Sequence, residues 1–229
     1  IPLCLVGSEM CIRDSYDNAQ LMEAYLVGYQ LTKNEDYLTV ISQILEWLKD
    51  EMIDENGGFY SSMDADSEGV EGKYYVWNPE EIENVLSETD AKIFNQFYDI
   101  SKTGNWEGNS IPNIIMKKSS LSTLLKIPES EISSSLEKSR LAIKEHRKSR
   151  IAPGTDDKII VSWNGLMISS LAKVSAFLGD KEYFEIADRA VSFIVDKMSK
   201  EDGSLNRVYR DNLSHIDAFA EDYSYFGNA

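Results

Sequence analysis

Apolar positions recur at helical spacing over residues 16–32, "YDNAQLMEAYLVGYQLT", and put Leu21, Ala24, Tyr25 and Gly28 on one face. Residues 35–53 predict a second helix with Leu38, Ile41, Leu45, Leu48 and Met52 along its stripe. Only the polar turn "KNED" separates the two, so they are expected to lie antiparallel as neighbours. Gly57-Gly58 is expected to end the second helix and open an aromatic ribbon, "GGFYSS…GKYYVW".

The pattern returns at a constant offset of 146 residues. Asn18, Tyr37, Asp50, Met52, Glu55 and Gly57 meet Asn164, Tyr183, Asp196, Met198, Glu201 and Gly203, and no gap is needed across the hairpin. Apolar meets apolar between them, as in Leu21 with Met167, Leu38 with Phe184 and Leu48 with Ile194. A second ribbon, "GSLNRVYRDNLSHI", follows this copy, and "EDYSYFGNA" begins a third with Asp222 opposite Asp17. Single hairpins of this kind cannot bury their apolar faces and stack on further copies. Between the copies, Pro79 with Glu80 and Glu81 starts a helical stretch to about Tyr98. "GNWEGNSIPNII" reads as loop and strand, and residues 129–149 as another helix.

The formal net charge of −16 argues against nucleic acid as a partner, because phosphate contacts need clustered Lys and Arg. The one basic run, Lys138 to Arg150, lies on a Ser- and Glu-rich helical pattern and reads as a solvated face. No apolar run reaches the ~20 residues of a membrane-spanning helix, so no membrane partner is expected. The first fifteen residues, "IPLCLVGSEMCIRDS", have no sustained period and look non-native, resembling a translated sequencing adapter. They hold both cysteines, Cys4 and Cys11, so residues 16–229 offer no disulfide, thiolate zinc site or thiol nucleophile. A cytoplasmic setting fits that composition.

The motifs "YDNAQL", "GGFYSSMDADSEGVEGKYYVW", "DDKIIVSWNGLM" and "EDYSYF", in this order, resemble the helical part of spermatogenesis-associated protein 20 and its bacterial relatives, often labelled thioredoxin-domain-containing proteins. The resemblance covers residues 16–229. It implies a mainly all-α fold, a partial α/α toroid of the six-hairpin glycosidase type with short β-ribbons; the stretch between the copies, at about residues 79–160, reads as an insertion packed on the hairpins. It also implies a thioredoxin-like domain as partner, which this chain does not show.

If successive hairpins start their inner helices at one end, Tyr16-Asp17-Asn18, Ser162-Trp163-Asn164 and Glu221-Asp222-Tyr223 gather there, joined by Asp156-Asp157-Lys158. Carboxylates, amides and aromatic faces suit a sugar. The expected binding set is therefore Asp17, Asn18, Trp77, Asp156, Asp157, Lys158, Trp163, Asn164, Glu221, Asp222 and Tyr223, with Asp64 and Asp66 as acid/base candidates. The plainer alternatives stay open. Asp17 and Asp222 stand where a helix cap is wanted, Trp163 and Tyr223 suit a core, and Gly165 suits close helix packing.

The acidic stretch from Asp64 to Glu71 imitates a calcium loop at its first positions, but the twelfth is Tyr75 and the flanks are strand-like. No metal is expected there. Neither a phosphate loop nor a serine elbow is present, and no cofactor is expected. An epimerase-like pair of histidine bases is not expected, because His146 lies on the basic helix far from the helix starts and His215, in a loop before the third copy, reads as a surface residue. The expected function is a carbohydrate-active or carbohydrate-binding domain, glycoside hydrolase-like or sugar epimerase-like. The alternative is a non-catalytic scaffold that works with a thioredoxin-like domain in redox or protein quality control.

Overall fold

A computed structural model describes residues 14–229, which divide into two compact units. The first takes the described residues up to Asp64 together with Thr155–Ala229, and the second is Ala65–Gly154.

In the first unit, helix α1 (Ser15–Thr32) is followed by α2 (Asp36–Trp47), whose end widens into a π turn over Leu48–Met52. Helices α7 (Val161–Leu178) and α8 (Lys181–Met198) repeat the pair. The offset of 146 holds in the backbone as well as the sequence. α1 and α7 begin and end at equivalent residues, and both close on a left-handed residue, Lys33 at φ 57° and Gly179 at φ 70°. The Ile53–Phe59 bridge recurs as Ser199–Leu205, and the Asp54 N–H to Gly58 C=O bond of 2.8 Å recurs from Lys200 to Ser204 at 2.7 Å. Both tight turns place a glycine at positive φ, Gly57 at 112° and Gly203 at 83°. A side chain at Gly57 would also press on the Arg189 backbone at 3.1 Å.

The inner helices α1, α7 and α9 (Ala220–Gly227) lie side by side, with α7 in the middle. Contacts advance together along both chains, which makes the helices parallel. Tyr16 meets Trp163 at 4.7 Å, Ser170 donates to the Ala19 carbonyl at 2.8 Å, Lys173 pairs with Glu23 at 2.7 Å, and Tyr29 meets Phe177 at 6.0 Å. On the other side, the Ser162 N–H reaches Asp222, and Gly165 abuts the backbone of Tyr225 and Phe226. A Cβ at residue 165 would come within 2.7 Å of Phe226 N, so glycine is what permits this approach. Side-by-side inner helices, of which α1 and α7 each have an outer partner, with short strands between the hairpins, form the mainly α, α/α toroid class of architecture.

The α2 stripe is buried as expected, Leu38 partly and Ile41, Leu45, Leu48 and Met52 fully. The α1 stripe differs. Its buried residues are Ser15, Asn18, Ala19, Met22 and Leu26, whereas Leu21 and Tyr25 are only partly covered and Ala24 is exposed. An inner helix is packed on two sides at once, so a single-face period underestimates it. The side with Tyr25 and Gly28 meets Tyr37 of α2, and the other meets α7. Burying one such Met22 or Ile41 side chain contributes about 2 kcal/mol against an exposed reference.

A four-stranded antiparallel sheet, in the order β1-β4-β5-β6, joins the hairpins. Its strands are β1 (Tyr60–Met63), β4 (Thr155–Ile160), β5 (Asn206–Arg210) and β6 (Leu213–Asp217). The second ribbon is the β5–β6 hairpin, turned by Asp211 and Asn212 at positive φ. The first ribbon is not a hairpin with "GKYYVW". β1 instead pairs with β4, Tyr60 opposite Ile159 and Met63 opposite Thr155.

The second unit contains β2 (Asp66–Ser67) and β3 (Val70–Glu71), then α3 (Pro79–Val85), α4 (Glu88–Phe97), α5 (Lys118–Leu125) and α6 (Glu129–Arg147). The stretch expected to run from Pro79 to Tyr98 is broken at Leu86-Ser87, where Ser87 caps the next helix. Asn78 and Glu81 exchange side-chain and backbone hydrogen bonds at 3.0 Å, a reciprocal cap contributing about 1 kcal/mol. "GNWEGNSIPNII" forms only isolated bridges, Trp77 with Ser110 and Trp106 with Asn109. Arg150 lies 3.8 Å over the Trp77 ring and donates to the Val76 carbonyl and Glu81, which pins the segment to the end of α6.

Candidate functional site

Three inner-helix N-termini meet at one end of the first unit, and their first turns are held by side chains rather than by chance proximity. Asn164 is fully buried and bonds backbone on every side. Its Oδ1 accepts from Phe59 N–H at 2.8 Å, and its Nδ2 donates to the Phe59 and Ile160 carbonyls at 3.0 Å. Asn18 repeats the local half of this, donating to the Asp14 carbonyl at 2.9 Å. Tyr223 is its counterpart on α9. The Tyr223 hydroxyl accepts from Leu205 N–H at 2.9 Å, and Leu205 is the repeat equivalent of Phe59. The fourth position of an inner helix thus fastens the ribbon of the preceding hairpin.

Asp222 is fully buried, accepting from Ser162 N–H at 3.0 Å and Phe219 N–H at 2.8 Å and pairing with Arg207 at 3.0 Å. Arg207 also pairs with Glu221 and stacks on Phe219. Glu221 is exposed. The capping alternative is therefore what Asp222 does here.

Around the starts of α1 and α7 the surroundings are less spent. The Tyr16 and Trp163 rings, tilted by 54°, are each partly exposed. Asp17 follows Tyr16 on α1, and burial raises its carboxyl above the usual range while a hydrogen bond with Tyr16 pulls it down. Asp14 is pushed up to about 6, by burial first and then by the charges of Asp17 and Asp156. Asp14 therefore sits within reach of both charges. Asp156 pairs with Lys158 at 3.0 Å and Asp157 with Arg210 at 2.9 Å, all four only partly covered or exposed. Ser15 and Ser162, in the first turns of α1 and α7, are buried with hydroxyls that find no hydrogen-bond partner among the described residues.

Asp17, Asn18, Asp156, Asp157, Lys158, Trp163, Asn164, Glu221, Asp222 and Tyr223 all belong to this unit and to the elements that meet at its helix starts. Asp64 follows β1, one residue beyond the Met63–Thr155 pair, and is exposed. Asp66 and Trp77 fall in the second unit. Asp66 is exposed in the two-residue β2–β3 hairpin, whose turn residues Glu68 and Gly69 have positive φ and whose Glu68 pairs with Lys73 at 2.6 Å. Trp77 is fully buried in a core with Ile82, Phe94 and Ile143.

Asp14, Arg207 and Arg210 are not expected at the helix starts from the sequence, and Tyr16 is placed there without a binding role. Asp14 lies in the segment set aside as non-native, and the arginines sit on a ribbon whose alternation gives no hint of their carboxylate partners. Among the described residues no helix is long and apolar enough to cross a membrane.

No protein-family model matches the chain. Human spermatogenesis-associated protein 20 is 30% identical over 208 residues, which cover 78% of this chain and 26% of that protein. The mouse protein of that name is 29% identical over the same shares. An uncharacterized protein of Caenorhabditis elegans is 28% identical over 96% of the chain and 35% of its own length. The chain thus spans about a quarter to a third of the curated relatives it matches.

Among solved structures, it overlaps a GH76 α-mannanase of Bacteroides thetaiotaomicron at a TM-score of 0.30 and 12% identity, over 98% of this chain and 58% of that one. It overlaps a cellobiose 2-epimerase of Bacillus thermoamylovorans at 0.26 and 11%, over 89% and 66%. Likeness at that level carries no argument about activity. The sequence matches and the repeated hairpin make this chain a member of the spermatogenesis-associated protein 20 family.

Proposed function

We propose that the chain is the helical part of a carbohydrate-binding or carbohydrate-active protein, with the sugar lying against the starts of α1 and α7. The observation that carries this reading is the partly exposed Tyr16–Trp163 pair, with Asp17 next to Tyr16 in the same turn and Asp156 close enough for its charge to act on Asp14. Aromatic faces cover the apolar side of a pyranose, and carboxylates accept hydrogen bonds from its hydroxyls. The positive ends of the inner helices favour oxygen-rich groups at the same place. Asn164, Asp222 and Tyr223 hold the helix starts in register and support the site from beneath.

Acid–base chemistry on a glycosidic bond would draw on two carboxylates, one of them protonated near neutrality. Asp17, Asp64 and Asp156 are the proposed sources within this unit. Asp66 belongs to the second unit and is not carried into this site.

Titration calorimetry of the chain against a panel of neutral and charged oligosaccharides tests the reading. Binding to at least one glycan, weakened tenfold or more by Trp163→Ala, is expected. A panel with no binder, or a binder indifferent to Trp163, removes the proposal.

A further inference from the structure

We propose that the ligand at the helix starts is an uncharged or cationic sugar, an amino sugar being preferred, and that sugar acids are refused. This rests on the sugar reading above and adds the charge class.

Cation supply decides it. The elements that meet at the site are β1, β4, β5 and the first turns of α1, α7 and α9, and they bring in only Lys158, Arg207 and Arg210. Lys158 is paired with Asp156, Arg210 with Asp157, and Arg207 with both Glu221 and Asp222. A sugar carboxylate arriving here would have to break one of these pairs to find a guanidinium or ammonium.

Anions, by contrast, are in excess. Among the described residues of these elements, Asp14, Asp17, Asp156, Asp157, Glu221 and Asp222 are set against three cations, and Asp14 and Asp17 enter no ion pair there. Burial already raises both carboxyls, and the charges of Asp17 and Asp156 raise Asp14 further, so an arriving ammonium would relieve a cost that is present without it. The buried Ser15 and Ser162 hydroxyls, without partners among the described residues, add neutral donors and acceptors in the same first turns. The wider field has the same sign. The described residues of the first unit hold twenty-four carboxylates against ten Lys and Arg, whereas residues 65–154 hold fourteen against twelve. Approach of a cation is thereby favoured and that of an anion opposed.

Calorimetry with three disaccharides of one shape tests it: cellobiose, its di-glucosamine counterpart and cellobiouronic acid, each at low and at high salt. The glucosamine dimer is expected to bind roughly fivefold or more tighter than cellobiose, the worth of one unit-charge contact in water. The uronic acid should bind weakest, and the spread should shrink at high salt. Asp17→Asn should narrow the ratio between the amine and the neutral sugar, with circular dichroism as the check that the variant is folded. A uronic acid bound as tightly as cellobiose, or a ratio unmoved by Asp17→Asn, overturns the charge inference while leaving the sugar reading standing. Binding of none of the three, together with an empty wider panel, overturns both.

Discussion

Replacing Asn164 by alanine tests the seam that holds the helix starts together. The substitution strips Phe59 of partners for both its N–H and its C=O, at a residue that is fully buried. The Ile160 carbonyl keeps its place in the α7 ladder, so two groups are stranded rather than three. A buried, unsatisfied polar group costs about 1–3 kcal/mol, which puts the loss at about 4 kcal/mol. Against a total stability on the order of 5–15 kcal/mol, that is a large share.

Urea unfolding followed by tryptophan fluorescence reads it, since Trp163 adjoins the lesion. With a slope of about 1–3 kcal/mol/M, the midpoint should fall by roughly 1–4 M. Asn164→Asp sharpens the test. It retains an acceptor for the Phe59 N–H but sets a carboxylate oxygen against the Phe59 carbonyl. Burial raises the folded-state pKa of such an acid, so the folded form is favoured at low pH and penalised as pH rises through that pKa. The aspartate variant should therefore be weaker than its parent by more at about pH 7 than at about pH 4. An alanine variant within about 1 kcal/mol of the parent, or an aspartate variant whose deficit ignores pH, would refute the clamp.

Tyr223→Phe removes the equivalent bond to Leu205 and, being partly exposed, should cost about 1 kcal/mol in the same assay; no measurable change would deny the equivalence of the two seams. Asp222→Ala leaves the Ser162 and Phe219 N–H groups and Arg207 without their carboxylate and should cost about 3–5 kcal/mol, with recovery by Asn only partial. Gly165→Ala forces α7 away from α9 and should lower the melting temperature by several degrees, for a loss of about 1–3 kcal/mol. Asp14, with its carboxyl raised to about 6, lends stability that is complete below its ordinary value near 3.8 and lost as pH rises through 6. Solvent screening limits that to about 1 kcal/mol, so Asp14→Asn should be the more stable form at about pH 7.5 and lose that advantage near pH 4.

The repeat was legible because residue types that do one job recur at one spacing. Asn18 and Asn164, Tyr37 and Tyr183, and Gly57 and Gly203 occupy equivalent places in the structure. The β1–β4 pairing was not legible, because Tyr60 and Ile159 are joined by no turn and neither strand advertises its partner. Local alternation suggested the neighbouring "GKYYVW" instead, whose Tyr74 and Trp77 are committed to the second unit. Helix α5 escaped notice as eight residues rich in serine. At the site, residue type suggested contact with a ligand for Asn164 and Asp222, whereas burial assigns both to the backbone. A side chain's polarity says that it needs a partner and leaves open whether that partner is a ligand or the peptide chain.

The seams between hairpins are written in peptide groups. Asn164 grips the main chain of a phenylalanine and Tyr223 that of a leucine, so neither latch depends on what the gripped residue carries beyond its α-carbon. Such a joint lets both halves drift in sequence without losing alignment. That is consistent with the gripped residue changing from Phe59 to Leu205 and the gripping side chain from the Asn164 amide to the Tyr223 phenol between one seam and the next.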